Sequence, residues 1–208
     1  MSPIPAKRLL VSCGALCLAW LGGCAAMPDT SPWPAMSALP ESEPVTQRLT
    51  FHHGGKTQQL LGILRHDARS LTLVVLSPQG QRLLTLDVDD EQAHFLADAA
   101  FEPPFSADWL ASRLIWSLWP EPSLTAAFAG TPWRLEQEGT TRDVSYRGTP
   151  VVRIERHPHC LSIDDRQGRY RLQIERLQTA TLGKASANGD SPNKDASNNN
   201  VEGSCPTP

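Results

Sequence analysis

Arg169-Tyr170-Arg171-Leu172-Gln173-Ile174-Glu175 is the stretch that decides the fold, because apolar and polar residues alternate along it without interruption. Successive side chains of a strand point to opposite faces of a sheet, so this period of two predicts a strand with one buried face. Shorter alternations of the same kind begin near Leu83, Trp133 and Val151. Together these segments predict a mainly β protein.

Turn-forming residues separate the predicted strands at residues 53–55, 77–80, 138–140, 147–150 and 164–168. Strands so closely spaced are typical of antiparallel hairpins, since parallel strands need long crossover connections. The continuous apolar run at residues 71–76 fits a strand covered on both faces, but its period leaves the assignment open.

One segment, residues 106–119, departs from the period of two. Ser106 is placed to cap a helix, Asp108 lies in its first turn, and Pro120 ends it. Apolar residues cover most of the helix circumference, which predicts burial on more than one side. Residues 123–129 are a candidate for a second, shorter helix.

We therefore expect a curved antiparallel sheet or half-open barrel around a Trp-rich helical insert, with about five strands on each side of it. Closure of the sheet would protect its edges.

The two ends of the chain differ in composition from its centre. Residues 24–45 contain five prolines, which predicts an extended linker. Residues 181–208 are rich in Asn, Ser and Gly, which predicts a disordered tail. Removal of residues 183–208 is expected to leave the melting temperature nearly unchanged. Residues 46–180 between these ends are long enough for one domain with a single core.

The first residues have the pattern of a secretory signal. Lys7 and Arg8 precede an apolar run at residues 9–21, and Leu21-Gly22-Gly23-Cys24 follows as a bacterial lipobox. The run is shorter than the roughly 20 residues that span a bilayer. We expect a signal peptide at residues 1–23 and a lipid anchor on Cys24; the alternative is an ordinary secretory signal with a chance cysteine. Ala25 follows the cysteine, and by the sorting rule of this class it favours the outer membrane of a Gram-negative bacterium, facing the periplasm.

The formal net charge is −3, whereas nucleic-acid binding usually needs a basic surface. We therefore expect no nucleic-acid partner. Once Cys24 and the signal are set aside, Cys160 and Cys205 remain. They could pair in an oxidising compartment, but their spacing leaves the pairing open.

Two groups of residues are candidate metal sites. The motif His157-Pro158-His159-Cys160, together with His52-His53, lacks the usual spacing of zinc ligands. The acidic residues at 87–91 lack the glycine and spaced oxygens of a calcium loop. No Gly-x-Ser-x-Gly motif is present. The sequence thus predicts no metal site, no cofactor and no enzymatic activity.

The lipobox and proline-rich linker, the helix end Leu118-Trp119-Pro120 and the final Gly168-Arg169-Tyr170-Arg171-Leu172-Gln173-Ile174 together resemble one family. It is a domain-of-unknown-function family of small bacterial lipoproteins, often encoded beside aryl polyene pigment genes. That family is in turn similar to the LolA/LolB lipoprotein carriers, whose half-open barrel holds acyl chains under a helical lid. The resemblance covers residues 46–178. The chain departs from LolB at Ser77-Pro78-Gln79-Gly80-Gln81, a polar hairpin tip where LolB presents an apolar residue.

Trp109, Leu110, Leu114, Trp116 and Trp119 are the candidate lining of a hydrophobic cavity, because tryptophan offers broad apolar contact with one hydrogen-bond donor. Plain core packing explains the same residues, and the resemblance favours the cavity. The expected function is binding or transfer of a hydrophobic ligand, either an acyl chain or a polyene lipid, in envelope assembly. The alternative is a structural lipoprotein that docks other envelope proteins. Either way, the anchor would bind membrane lipid.

Overall fold

The computed structural model describes residues 31–96, 103–177 and 205. The predicted signal peptide, Cys24 and the predicted tail except Cys205 lie outside the described residues. Within them, five strands precede two helices and five strands follow. The strands are β1 Ser42–His53, β2 Lys56–His66, β3 Leu71–Leu76, β4 Arg82–Val88, β5 Ala93–Phe95, β6 Trp133–Glu138, β7 Thr141–Tyr146, β8 Thr149–Arg156, β9 Cys160–Asp165 and β10 Tyr170–Arg176. The helices are α1 Ala107–Leu118 and α2 Glu121–Phe128.

All ten strands form one antiparallel sheet in the order β5-β4-β3-β2-β1-β10-β9-β8-β7-β6. Strand β1 pairs with β10 and so joins the first five strands to the last five. This arrangement confirms the predicted curved antiparallel sheet around a helical insert. The sheet does not close, because β5 and β6 lie at its two edges within the described part of the chain.

Helix α1 lies in the core of the curved sheet. The Ser106 hydroxyl accepts a hydrogen bond from the Trp109 amide at 3.1 Å, as expected for the predicted cap. Residues 111–117 are all buried, which confirms burial on more than one side. Helix α2 begins at Glu121, two residues before the predicted start, because Pro122 fits the first turn of a helix, where no backbone donor is needed.

Strand β3 corresponds to the apolar run at residues 71–76, whose assignment the sequence left open. Leu71, Leu73 and Val75 are buried, and the residues between them are half-buried. Each buried residue pairs across to a buried residue of β4, for example Leu73 to Leu86. The run is therefore a strand with one face in the core, rather than one equally covered on both faces.

Residues 31–39, which we name the N-terminal strap, pack against the domain although they fall within the predicted linker. Met36 is 1 % exposed and begins a short 3-10 turn, and its amide donates to Asp90 Oδ1 at 2.6 Å. Strand β1 then begins at Ser42, four residues before the predicted domain boundary. Within the predicted linker, residues 31–39 thus pack on the domain and residues 42–45 belong to β1. Prolines do not prevent the burial of apolar neighbours such as Met36 and Leu39, and Pro44 lies where the pairing of β1 with β2 is irregular.

Cys160 and Cys205 form a disulfide with a Cα–Cα distance of 5.3 Å. Cys160 opens β9 and is buried, and the Cys205 amide donates to Glu175 Oε1 at 3.2 Å. The pairing that spacing left open is therefore present, and it attaches one residue of the predicted tail to the sheet. Neither of the described helices is long and apolar enough to cross a bilayer.

Candidate functional site

The structure divides the predicted cavity residues between the two ends of α1. Near its C-terminal end, Trp116 is 0 % exposed and Trp119 1 %. The Trp116 indole donates to Ser31 Oγ at 2.8 Å, and the Trp119 indole donates to the Ala35 carbonyl at 3.1 Å. Both hydrogen bonds go to the N-terminal strap, so these two tryptophans are packed beneath it.

Trp109 and Leu110, near the N-terminal end of the same helix, are half-buried. Leu114 lies between the two groups and is 9 % exposed. Helix periodicity could not separate these environments, because the strap that covers Trp116 and Trp119 lies far away in the sequence. Of the predicted cavity residues, Trp109 and Leu110 therefore keep the most accessible apolar surface.

Trp109 belongs to a row of five half-buried aromatic side chains, which we name the aromatic row: Phe51, Tyr170, Trp109, Phe105 and Phe95. Ring centroids are 5.9 Å apart from Phe51 to Tyr170 and 5.5 Å from Tyr170 to Trp109. They are 5.0 Å apart from Trp109 to Phe105 and 6.2 Å from Phe105 to Phe95. The row thus runs from β1 and β10, past the start of α1, to β5.

Two hairpin turns lie beside the aromatic row. His53 of β1 pairs with Tyr170 of β10, and His53 Nδ1 donates to the Arg169 carbonyl at 2.9 Å. In the second turn, a Cβ placed on Gly168 would lie 2.9 Å from Trp109 Cζ2 and 2.8 Å from Tyr170 Cε1. Such contacts are too close for a side chain, so glycine lets this turn pack directly on the row.

A buried ion pair packs against the aromatic row on its core side. Arg113 Nε donates to Asp165 Oδ2 at 2.7 Å, and the two side chains are 2 % and 0 % exposed. Arg113 Nη2 also donates to Gln167 Oε1 at 2.7 Å. The guanidinium carbon lies 4.3 Å from the centre of the Trp109 ring and 4.9 Å from that of Trp116, so cation–π contacts fix both rings.

Tyr170 connects the aromatic row to the ion pair. Its ring is half-buried, while its hydroxyl lies against Asp165 and Arg113. Burial raises the pKa of the Tyr170 phenol, and the negative charge of Asp165 raises it further. The phenol therefore stays protonated over the ordinary pH range.

Two arginines of the sheet hold the C-terminal end of α1. Arg142 of β7 is 4 % exposed and donates to the carbonyls of Trp116 at 2.5 Å and Trp119 at 3.0 Å. Arg156 of β8 donates to the Ser117 carbonyl. Helix carbonyls at this end lack backbone partners and carry partial negative charge. Burial and the neighbouring Arg156 lower the pKa of Arg142 to about 10.

The histidines weighed as metal ligands lie at opposite ends of the strands. His53 pairs with Tyr170 at one end of β10, whereas Glu175 at the other end pairs with Cys160, just after His157 and His159. Of the acidic residues at 87–91, Asp89 accepts two hydrogen bonds from backbone amides of its own turn. Nowhere in the described residues do three or more ligand side chains converge as a metal site would require.

A cleft of about 560 Å³ lies away from the tryptophans, between the start of β1 and the turn after β2. It is lined by residues 41–44 and 65–67, which include three carboxylates. This charged lining does not match the apolar cavity predicted from the sequence.

A family model described as "Protein of unknown function (DUF3261)" matches residues 44–178. The chain belongs to this family. The DUF3261 match begins within β1, ends just after β10, and includes both helices and the whole aromatic row. No curated protein matches the chain.

Within the DUF3261 domain, sequence reasoning missed the Arg113–Asp165 pair and most of the aromatic row. Local patterns place Asp165 only within a predicted turn and give Arg113 no partner. One signal was available, because arginine on a helix expected to be buried nearly all round needs a buried partner. The partner itself could not be found, since it lies 52 residues away.

Proposed function

We propose that this DUF3261 protein is a lipoprotein anchored through Cys24 in the outer membrane, on the periplasmic side, and that it binds a hydrophobic ligand at the aromatic row. The ligand would be an acyl chain or a polyene lipid handled during envelope assembly. The proposal needs no cofactor and no catalytic step.

The aromatic row is the observation that supports ligand binding. Its five side chains are half-buried and continuous, and the Arg113–Asp165 pair and the Gly168 turn pack against the Trp109 and Tyr170 rings. Pre-organised rings lose little conformational freedom when a ligand binds. An extended apolar molecule could therefore lie along the row without refolding of the domain.

The lipobox and the resemblance to LolA/LolB carriers support the finer part of the proposal. LolA/LolB carriers hold acyl chains in a half-open barrel, and the present sheet is open in the same sense. The polar β3–β4 hairpin tip gives no support to insertion of cargo in the manner of LolB. We therefore favour ligand binding over general lipoprotein insertion.

A scaffold that docks envelope proteins is the second candidate. The observation that favours it is the complete burial of Trp116 and Trp119 beneath the strap. Of the predicted cavity residues, these two fill the core instead of lining an accessible surface.

The test uses the chain from residue 25 onward, which contains every described residue, and a fluorescent polyene fatty acid. We expect saturable quenching of tryptophan emission and a melting temperature that rises with ligand concentration. Phe105→Ala should weaken binding about tenfold, because one lost ring contact corresponds to about 1.5 kcal/mol.

Tyr146→Ala is the matched control, since Tyr146 is a half-buried aromatic residue that packs on Trp133 and lies outside the row. Its ligand affinity should equal that of the parent chain. The binding proposal fails, and the scaffold is favoured, if folded protein shows no saturable quenching or if Phe105→Ala binds the fatty acid as tightly as Tyr146→Ala.

A further inference from the structure

An apolar patch lies on the outer face of the sheet, away from α1. It comprises two cross-strand pairs of β2 and β3, Leu61 with Leu76 and Ile63 with Val74, and we name it the outer patch. Residues that alternate with these, such as Leu64 and Leu73, are buried in the core. Since successive side chains of a strand face opposite ways, the outer patch faces outward. Its four side chains are half-buried.

The outer face is different on the other half of the sheet. There the register aligns Arg171, Asp164, Arg153 and Asp143 across β10, β9, β8 and β7. Arg153 donates to both carboxylate oxygens of Asp143, each at 2.9 Å. Charges of alternating sign stabilise cross-strand pairing and keep this half hydrated. The apolar character of the outer patch is therefore a local feature of β2 and β3.

Arginines border the outer patch on three sides. Arg48 pairs across from Leu61, Arg82 pairs across from Leu76, and Arg65 follows Ile63 by two residues on the same face. Arg48 contacts Glu175 at 3.1 Å and Arg65 contacts Asp67 at 3.6 Å, with 48 % and 63 % of the two arginine side chains exposed. Exposed ion pairs of this kind are weak, so these guanidiniums can exchange to other anions.

We propose that the outer patch is a membrane-contact surface, with its apolar side chains in the interface of an anionic bilayer and Arg48 and Arg65 on lipid phosphates. Arginine matches phosphate geometry well, and apolar groups ringed by basic residues are typical of interfacial binding.

The stretch from Cys24 to Ser31 reaches at most about 25 Å when fully extended. Here the inference depends on the proposed anchor, because that short reach keeps the domain beside the bilayer.

The experiment is hydroxyl-radical footprinting of the full chain, free in detergent and reconstituted in vesicles. One set of vesicles contains phosphatidylethanolamine and phosphatidylglycerol, and the other contains phosphatidylcholine alone. Oxidation of Leu61, Ile63 and Leu76 should fall about threefold in the anionic vesicles, whereas that of Leu135 and Tyr146 stays unchanged.

Arg48→Gln combined with Arg65→Gln should abolish the protection in anionic vesicles. Arg153→Gln is the matched control, because Arg153 is also exposed, paired with a carboxylate and on the outer face, and it should leave the protection intact. Equal protection by phosphatidylcholine vesicles, or equal effects of the two sets of variants, would overturn the inference.

Flotation and intact mass separate the two proposals. Acylated protein that floats with anionic vesicles while the outer patch stays fully reactive overturns the membrane-contact surface and leaves the anchor standing. Protein without acyl mass that does not float overturns the anchor, and the membrane-contact surface with it.

Discussion

At the scale of single residues, Arg113 and Asp165 can both be buried because they form an ion pair. Each charge would be costly alone in the core, and each is compensated by hydrogen bonds as well as by its partner. Asp165 Oδ1 also accepts from the Gly168 amide at 2.6 Å, which fixes the turn that packs on Trp109. One carboxylate thus positions both the helix and the β9–β10 turn.

Asp165→Ala is expected to lower the free energy of unfolding by about 3–5 kcal/mol, because it leaves Arg113 charged and buried without its counter-ion. Urea denaturation followed by tryptophan fluorescence measures the loss. Asp143→Ala removes an exposed carboxylate that also pairs with an arginine, and it should change stability little. Similar losses of unfolding free energy for the two variants would show that the buried pair contributes no more to stability than the exposed pair.

Stability should fall in alkali through Tyr170. Its pKa is raised in the folded state, so the folded protein holds the phenol proton more tightly than the unfolded chain, whose tyrosine pKa is about 10. The stabilisation is complete below that pH and is lost as the pH rises above it. Urea denaturation across this range should show a shallower decline for Tyr170→Phe. Tyr146→Phe, which changes the only other tyrosine, should decline like the parent.

At the scale of elements, the strands and α1 could be predicted because their signals are local. The alternation around Leu172 and the cap at Ser106 depend on near neighbours in the sequence, and both elements form where predicted. The strap could not be predicted, because composition averages Met36 and Leu39 with the prolines around them. The ion pair and the aromatic row join strands and helix across long separations, which periodicity does not report.

Arg142→Gln is expected to destabilise the protein by about 2 kcal/mol, since the carbonyls at the end of α1 lose a charged donor. Differential scanning calorimetry measures the effect. Arg134→Gln is the control, because Arg134 is exposed at the edge of the sheet and donates to the Thr131 and Trp133 carbonyls without contacting α1. A melting temperature equal to that of the control would exclude a role for Arg142 in fixing the helix.

At the scale of the whole molecule, the described residues outside the sheet and helices, residues 31–39 and Cys205, are attached to the domain. The strap covers the C-terminal end of α1, and the disulfide holds Cys205 on β9. The expectation that residues 183–208 can be removed at no cost therefore changes, because removal also breaks a covalent link that closes 45 residues.

Cys205→Ser should lower the free energy of unfolding by about 2–4 kcal/mol, as a cross-link of this length restricts the unfolded chain. Guanidinium denaturation of oxidised protein measures the change. Removal of residues 183–208 should give the same loss as Cys205→Ser. Adding reductant to the parent protein should lower its free energy of unfolding to the value of these two variants. An unchanged denaturation midpoint in Cys205→Ser would return the tail to the dispensable role expected from its composition.

The open edges of the sheet determine how copies of the protein meet at high concentration. Unpaired edge strands can template fibril-like stacking, and natural sheets oppose it with short or charged edges. Strand β5 has three residues, and β6 carries exposed Glu136 and Glu138. Two copies meeting along β6 would add glutamates of both chains to one ladder, where like charges repel. The sheet can therefore stay open at β5 and β6 without acting as a seed for aggregation.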